Sequence, residues 1–201
     1  PALSHDGVIP GLTRLADAVH AHGARIVVQA NHHGRISGVD TAEDRPSIVP
    51  SLPLPDAEPM SIVADTTMDE LMAMATLTGG KMPTYAEATT DDLTWVVNQF
   101  ADAAARVQAA GMDGIEVHAG HGYLIDTFLS PAWNRRTDAY GGDEEGRARL
   151  LVEVVAAVRD RCGPGFAVLV RLNGRDAALP GGITPDLAAR YAARAAAAGA
   201  D

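Results

Sequence analysis

The chain has 201 residues, 47% of them hydrophobic, and its 26 acidic side chains outnumber 16 basic ones for a formal net charge of -10. Such apolar content allows a sizeable core and excludes a disordered chain, while the acidic balance, with no Lys/Arg run, argues against nucleic acid or an anionic membrane surface as a partner. The single Cys162 cannot form an internal disulfide, no zinc or iron-sulfur spacing is present, and neither a leader nor an apolar run near a membrane span is found, so a reducing, cytoplasmic setting is expected.

Leu12, Leu15, Ala16 and Val19 recur at helical spacing after Pro10, and Gly23 supplies a stop, which predicts an amphipathic first helix. Arg25 to Gln29 reads as a strand that ends on the polar Gln29, with Asn31, His32, His33, Gly34 and Arg35 just beyond. Periodicity then dissolves over residues 37–90, a long Pro-rich excursion with one short helix expected around Met68 to Thr76. Five of the six methionines fall between Met60 and Met82. A substrate-facing lid is one reading of them, and filling a gap where the excursion packs back is the favoured one.

Thr89 or Thr90 is expected to cap a helix whose apolar stripe runs through Leu93, Val96, Val97, Phe100, Ala104 and Val107. Gly111 ends it, and the GIEVH strand follows with Ile115 and Val117 as its β-branched residues. Directly after that strand stand His118, His121 and Tyr123, three proton-handling side chains on a turn that Gly120 and Gly122 allow to bend sharply. A polar connection over 130–147 leads to a helix carrying Leu150, Leu151, Val154, Val155 and Val158, then to a third strand, Phe166 to Val170, with Arg171 at its end. Thr184 and Pro185 open a last, alanine-rich helix that runs to Gly199.

HGARIVVQ, AGMDGIEVH and CGPGFAVLVR all spell helix, glycine, strand, an alternation that demands a parallel sheet. Polar groups at the strand ends, Gln29, His118 and Arg171, are spread as if around one centre, and no dinucleotide-type glycine fingerprint follows the first strand. The expected fold is therefore α/β, a (β/α)8 TIM barrel. An eight-stranded barrel takes about 250 residues, so residues 1–201 are expected to form a single partial barrel domain covering the middle βα units.

The segments at residues 9–35, 111–142 (GMDGIEVHAGHGYLIDTFLSPAWNRRTDAYGG) and 170–174 (VRLNG) resemble the Old Yellow Enzyme group of FMN-dependent NAD(P)H:flavin oxidoreductases. The resemblance implies FMN at the carboxyl ends of the barrel strands, reduced by NAD(P)H. It implies that Gln29 hydrogen-bonds the pyrimidine edge of the flavin and that Arg171 lies where reduction places negative charge. His118 and His121 match the pair that grips a carbonyl or nitro oxygen of the substrate, and Tyr123 matches the residue that protonates the α-carbon. Asn134, Arg136, Asp138, Gly141, Gly142 and Arg147 match a segment expected to serve as scaffold, whereas His32 could serve either the flavin or the structure. Gly146 replaces a common asparagine, and His33 is atypical.

The resulting expectation is hydride transfer from NAD(P)H through FMN to an activated alkene, a small-molecule substrate, with homo-oligomerisation open. An iron-sulfur cluster, as in one branch of the group, would lie beyond Asp201. Flavin-dependent amine oxidation is the near alternative. An inactive, incomplete barrel with open sheet edges is the alternative of another class.

Overall fold

The computed structural model describes residues 2–54, 67–176 and 180–201. Three parallel strands form the main sheet in the order β1 (Val27–Ala30), β4 (Gly114–Ala119), β5 (Ala167–Leu172). Gln29 stands in register with Glu116, and His118 with Arg171. The helices between them are α1 (Ile9–His20), α4 (Thr90–Ala109), α6 (Glu144–Cys162) and α7 (Pro185–Ala197). Both Gln29 and Arg171 lie one residue inside their strands rather than beyond them.

Side chains alternate across a strand, so Ile115 and Val117 of β4 share one face with Val168 of β5. All three are fully buried. They pack in one hydrophobic cluster with Leu93, Val96, Phe100, Ala104 and Val107 of α4 and with Leu151, Val154, Val155 and Val158 of α6. Burying each large aliphatic side chain stabilises by roughly 1.5–3 kcal/mol, so a charge at Val117 would break this layer. The other face carries Val27, Gln29, Glu116, His118, Leu169 and Arg171, and Val27 there remains 41% exposed. Helices on one face and side chains of mixed polarity on the other make the wall of a barrel rather than a doubly wound sheet, which is covered on both faces.

Local chemistry sets the helix boundaries. Thr89 caps α4 in a reciprocal box with Asp92: the Asp92 N–H donates to Thr89 Oγ1 at 3.1 Å, and the Thr89 N–H donates to the Asp92 carboxylate at 2.8 Å. Asp143 caps α6 through the Gly146 N–H, at 2.8 Å, so this helix begins inside the stretch expected to be a polar connection. A side chain at Gly146 would strike the Gly141 carbonyl, which explains why glycine stands there.

Residues 37–90 hold more structure than expected. Besides α2 (Gly38–Ala42) and α3 (Met68–Thr78), two three-residue strands, β2 (Ser47–Val49) and β3 (Tyr85–Glu87), pair in parallel as a second small sheet. Strands of that length among prolines carry too few residues for a period to register. Arg136 ties this sheet to the rest, donating to the carbonyls of Ala88 (2.7 Å) and Pro50 (3.2 Å). Met68, Met72 and Met82 are 71%, 63% and 81% exposed, so they do not fill a gap, and Met60 lies outside the described residues. No helix among the described residues is long and apolar enough to cross a membrane.

Candidate active site at the carboxyl end of the sheet

β4 delivers His118 to the barrel-facing side of the sheet while its flanking residues stay in the core, so the imidazole is 4% exposed. Its Nδ1 accepts from the Gly120 N–H at 3.3 Å, and its Nε2 faces His121 Nδ1 at 3.2 Å. With Nδ1 accepting, the bonding pattern assigns the His118 proton to Nε2 and, in turn, the His121 proton to Nε2. Burial holds His118 below the ordinary histidine range, and the neighbouring His121 and Arg171 push the same way. At neutral pH it is therefore a neutral hydrogen-bond donor rather than an imidazolium.

His121 is exposed and adopts φ 60, a left-handed conformation that non-glycine residues rarely take. Tyr123 follows at the start of α5 (Leu124–Leu129), half-buried, its ring edge-on to His118 at 4.9 Å between centroids and to His33 at 5.5 Å. α5 itself escapes sequence reading because all six of its residues are buried, leaving no polar face to mark a helical period.

The residues after β1 dock onto this turn. The Leu124 N–H donates to the His32 carbonyl at 3.1 Å, and Gly34, at φ +54, comes so close that a Cβ there would sit 2.8 Å from Leu124 Cα. His32 Nδ1 accepts from the Gly34 N–H at 3.1 Å, which shapes the turn, and burial lowers its pKa. The Arg35 guanidinium lies 4.0 Å over the Trp133 ring. Two loops from neighbouring strands thus brace each other.

Gln29 and Arg171 stand on the barrel-facing side, one strand to either side of β4. Glu116, which sequence reading left without a role, lies between them. It accepts from the Gln29 carboxamide and from Arg171 Nε at 3.1 Å; burial pushes its carboxyl up, but these contacts and the charge of Arg171 hold it below the usual range. Its letter sits inside an apolar strand, and its partners are 87 and 55 positions away, so no local pattern marks it.

Behind the turn, Asp126 is 2% exposed. Burial pushes its carboxyl up to about 7; the Gly122 N–H at 2.8 Å opposes that shift, and Asp176 adds to it. The scaffold segment lies lower: Asn134 donates to the carbonyls of Phe128 (2.7 Å) and Tyr140 (2.8 Å), Arg136 pairs with Asp138 at 2.5 Å, and Arg147 reaches the Tyr191 hydroxyl at 3.3 Å.

Residues 1–200 match the profile of the NADH:flavin oxidoreductase / NADH oxidase family. The metal reductase of Desulforamulus reducens is 41% identical over 87% of this chain and 22% of its own length. The N,N-dimethylglycine/sarcosine dehydrogenase of Chromohalobacter salexigens is 37% identical over 95% of this chain and 24% of its own. Among solved structures, morphinone reductase in complex with tetrahydroNAD superposes with a TM-score of 0.76 at 32% identity, over 100% of this chain and 53% of that one. The Old Yellow Enzyme of Pichia sp. AKU4542 superposes with a TM-score of 0.66 at 29% identity, over 86% and 41%. The chain therefore spans between about a quarter and a half of the length of these relatives, as part of a (β/α)8 barrel. By its match over residues 1–200, it belongs to the NADH:flavin oxidoreductase / NADH oxidase family, the Old Yellow Enzyme group.

Proposed function

We propose that the protein carrying this chain is an FMN-dependent oxidoreductase that uses NAD(P)H to reduce an activated alkene, one conjugated to a carbonyl or nitro group. The observation that carries this reading is the cluster of His118, His121 and Tyr123 at the same end of the sheet as Gln29 and Arg171. Family membership implies FMN, and the residues present fit it. Arg171 engages the protein through Nε alone among the described residues, leaving its terminal nitrogens free for an electron-rich ring edge, and Gln29 offers a carboxamide with both donor and acceptor. Bound there, FMN would supply hydride taken from NAD(P)H.

The protein's own groups then manage charge and proton. His118 Nε2 and the ring of His121 converge, and a substrate oxygen that replaces His121 Nδ1 as acceptor of the His118 Nε2–H, with the His121 Nε2–H as second donor, can gather negative charge as the β-carbon is reduced. Neutrality matters in this role. A buried imidazolium would bind anions indiscriminately, whereas a neutral donor gains most as the oxygen becomes charged. Tyr123 carries a phenolic O–H and protonates the α-carbon. Its edge contacts with His118 and His33 fix the ring's direction. The lone, buried Cys162 suits a reducing cytoplasmic location.

Replacing Tyr123 by Phe keeps the ring and removes the proton. The expected outcome in rapid mixing is a loss of roughly 10²-fold or more in alkene reduction, with flavin reduction by NAD(P)H changed less than about twofold. Equal loss in both half-reactions would remove Tyr123 from the donor role.

A second reading, oxidation of an N-methyl amine, is favoured by one observation, the 37% identity to a dimethylglycine/sarcosine dehydrogenase. It needs no proton donor over an α-carbon, so Tyr123→Phe would leave amine oxidation largely intact.

A further inference from the structure

The turn that carries His121 and Tyr123 is held from behind by a pair of side chains that reach its backbone. His121 sits at φ 60 and Gly122 at φ 75, so two successive N–H groups leave the direction of the strand. The His121 N–H donates to Asn173 Oδ1 at 3.0 Å, and the Gly122 N–H donates to Asp126 Oδ2 at 2.8 Å. The two acceptors also hold each other, since Asn173 Nδ2 donates to the same Asp126 oxygen at 3.0 Å. Gly120 leaves room for the amide: a Cβ there would lie 2.9 Å from Asn173 Oδ1.

The brace extends into the next loop. Asn173 Nδ2 lies 3.3 Å from Asp176 Oδ1, and Asp176 Oδ2 accepts from the Ser130 hydroxyl at 2.6 Å and from the Ile183 N–H at 2.9 Å. Asn173 follows Leu172, the last residue of β5, only two positions after Arg171. The backbone of the β4 turn is thereby referred to the adjacent strand, β5, which carries the guanidinium.

We propose that Asn173 and Asp126 are positioning residues for His121: they fix its left-handed backbone, and with it the convergence of its ring on His118, relative to Arg171 on β5. This rests on the reading of His121 as a substrate-oxygen donor. A left-handed histidine is costly and persists only where its surroundings over-determine it. One bond from Asn173 and one from Asp126, cross-linked to each other, supply that constraint. Neither residue touches the substrate oxygen in this scheme, and each acts through the backbone of the turn.

The test is a double-mutant cycle in the intact, flavin-loaded protein, with a simple cyclic enone as the probe substrate. Asn173→Ala should lower kcat/KM for the enone about tenfold, the usual weight of one positioning hydrogen bond, with flavin content and Tm close to wild type. In a His121→Ala background the same change should cost less than about twofold, because the group it positions is gone. The exchanged pair, Asp126→Asn with Asn173→Asp, still offers an acceptor to each turn N–H and a donor between them, and should recover part of the activity lost in Asn173→Ala, the rest being the contact with Asp176 that a carboxylate at position 173 cannot make. If His121→Ala alone leaves enone reduction unchanged, the oxygen-donor reading fails. If His121→Ala is damaging but Asn173→Ala is harmless, or equally costly in both backgrounds, the positioning role is overturned while the donor reading stands.

Discussion

Near the two ends of the three-stranded sheet, Asp113 and Asp126 are treated in opposite ways. At the amino end, Asp113 accepts from His20 at 2.8 Å, from the Ile26 N–H at 2.8 Å and from Arg25 at 2.6 Å, and these donors hold its carboxyl far below the usual range. Asp201 repeats the arrangement beside β5, accepting from the Val168 N–H at 2.9 Å and from Arg159 at 2.8 Å, with its pKa lowered by the same kinds of contact. At the carboxyl end, Asp126 is buried with its Oδ1 unpartnered among the described residues, and its carboxyl is pushed up to about 7. One end uses charge to close the fold. The other tolerates an electrostatic cost where the turn with His118, His121 and Tyr123 has to be held, the division expected of a barrel whose chemistry lies at the carboxyl ends of its strands.

The largest effect that should follow from this division is on chemistry alone. Replacing both His118 and His121 by Ala should lower kcat for enone reduction by roughly 10²- to 10³-fold, while Tm, read by calorimetry, moves little because His121 is exposed and His118 packs mainly against its own loop. A variant that fails to fold would show that the carboxyl end also carries stability and would blur the comparison.

The next effect is on the pH dependence of stability. A carboxyl raised on folding contributes stability that is fully present below its unfolded pKa and lost as pH rises through the folded one. For Asp126 that window runs from 3.8 to about 7, with a ceiling of roughly 4 kcal/mol for a fully buried group. Asp126→Asn should therefore flatten the decline in Tm between those pH values, and an unchanged decline would assign it elsewhere. Asp113 has the opposite sign. Its carboxyl is depressed on folding, so its contribution is present above the unfolded value and lost as pH falls through the folded one. Asp113→Asn should lower Tm at pH 7 and weaken the loss of stability below pH ~4, the smallest of these effects because its partner Arg25 is exposed and the pair is screened by solvent.

Much of this was legible in the chain itself, and the reasons divide along the same line. Ile115 and Val117 announce a strand, and His118, His121 and Tyr123 fall within six residues of one another, so the pattern that positions them is local. The long helix α4 was equally plain, since one stripe from Leu93 to Val107 is buried along its length. What escaped depends on distance in sequence. Glu116 gains meaning only when β1 and β5 flank it, and Asn173 only when it meets Asp126, 47 positions away. The small sheet β2/β3 and the helix α5 escaped because three-residue strands and a uniformly buried helix have no period to read. The methionines misled for a related reason: composition names a side chain's size and flexibility but not what covers it, and Met68, Met72 and Met82 stand exposed.

The most direct test of the central reading is the visible spectrum of the intact, FMN-loaded protein under anaerobic conditions. Bleaching of the flavin bands on adding NAD(P)H, followed by their return on adding a conjugated enone, is the expected result. Bleaching by an N-methyl amine but not by NAD(P)H, or a reduced flavin that the enone does not reoxidise, would contradict it.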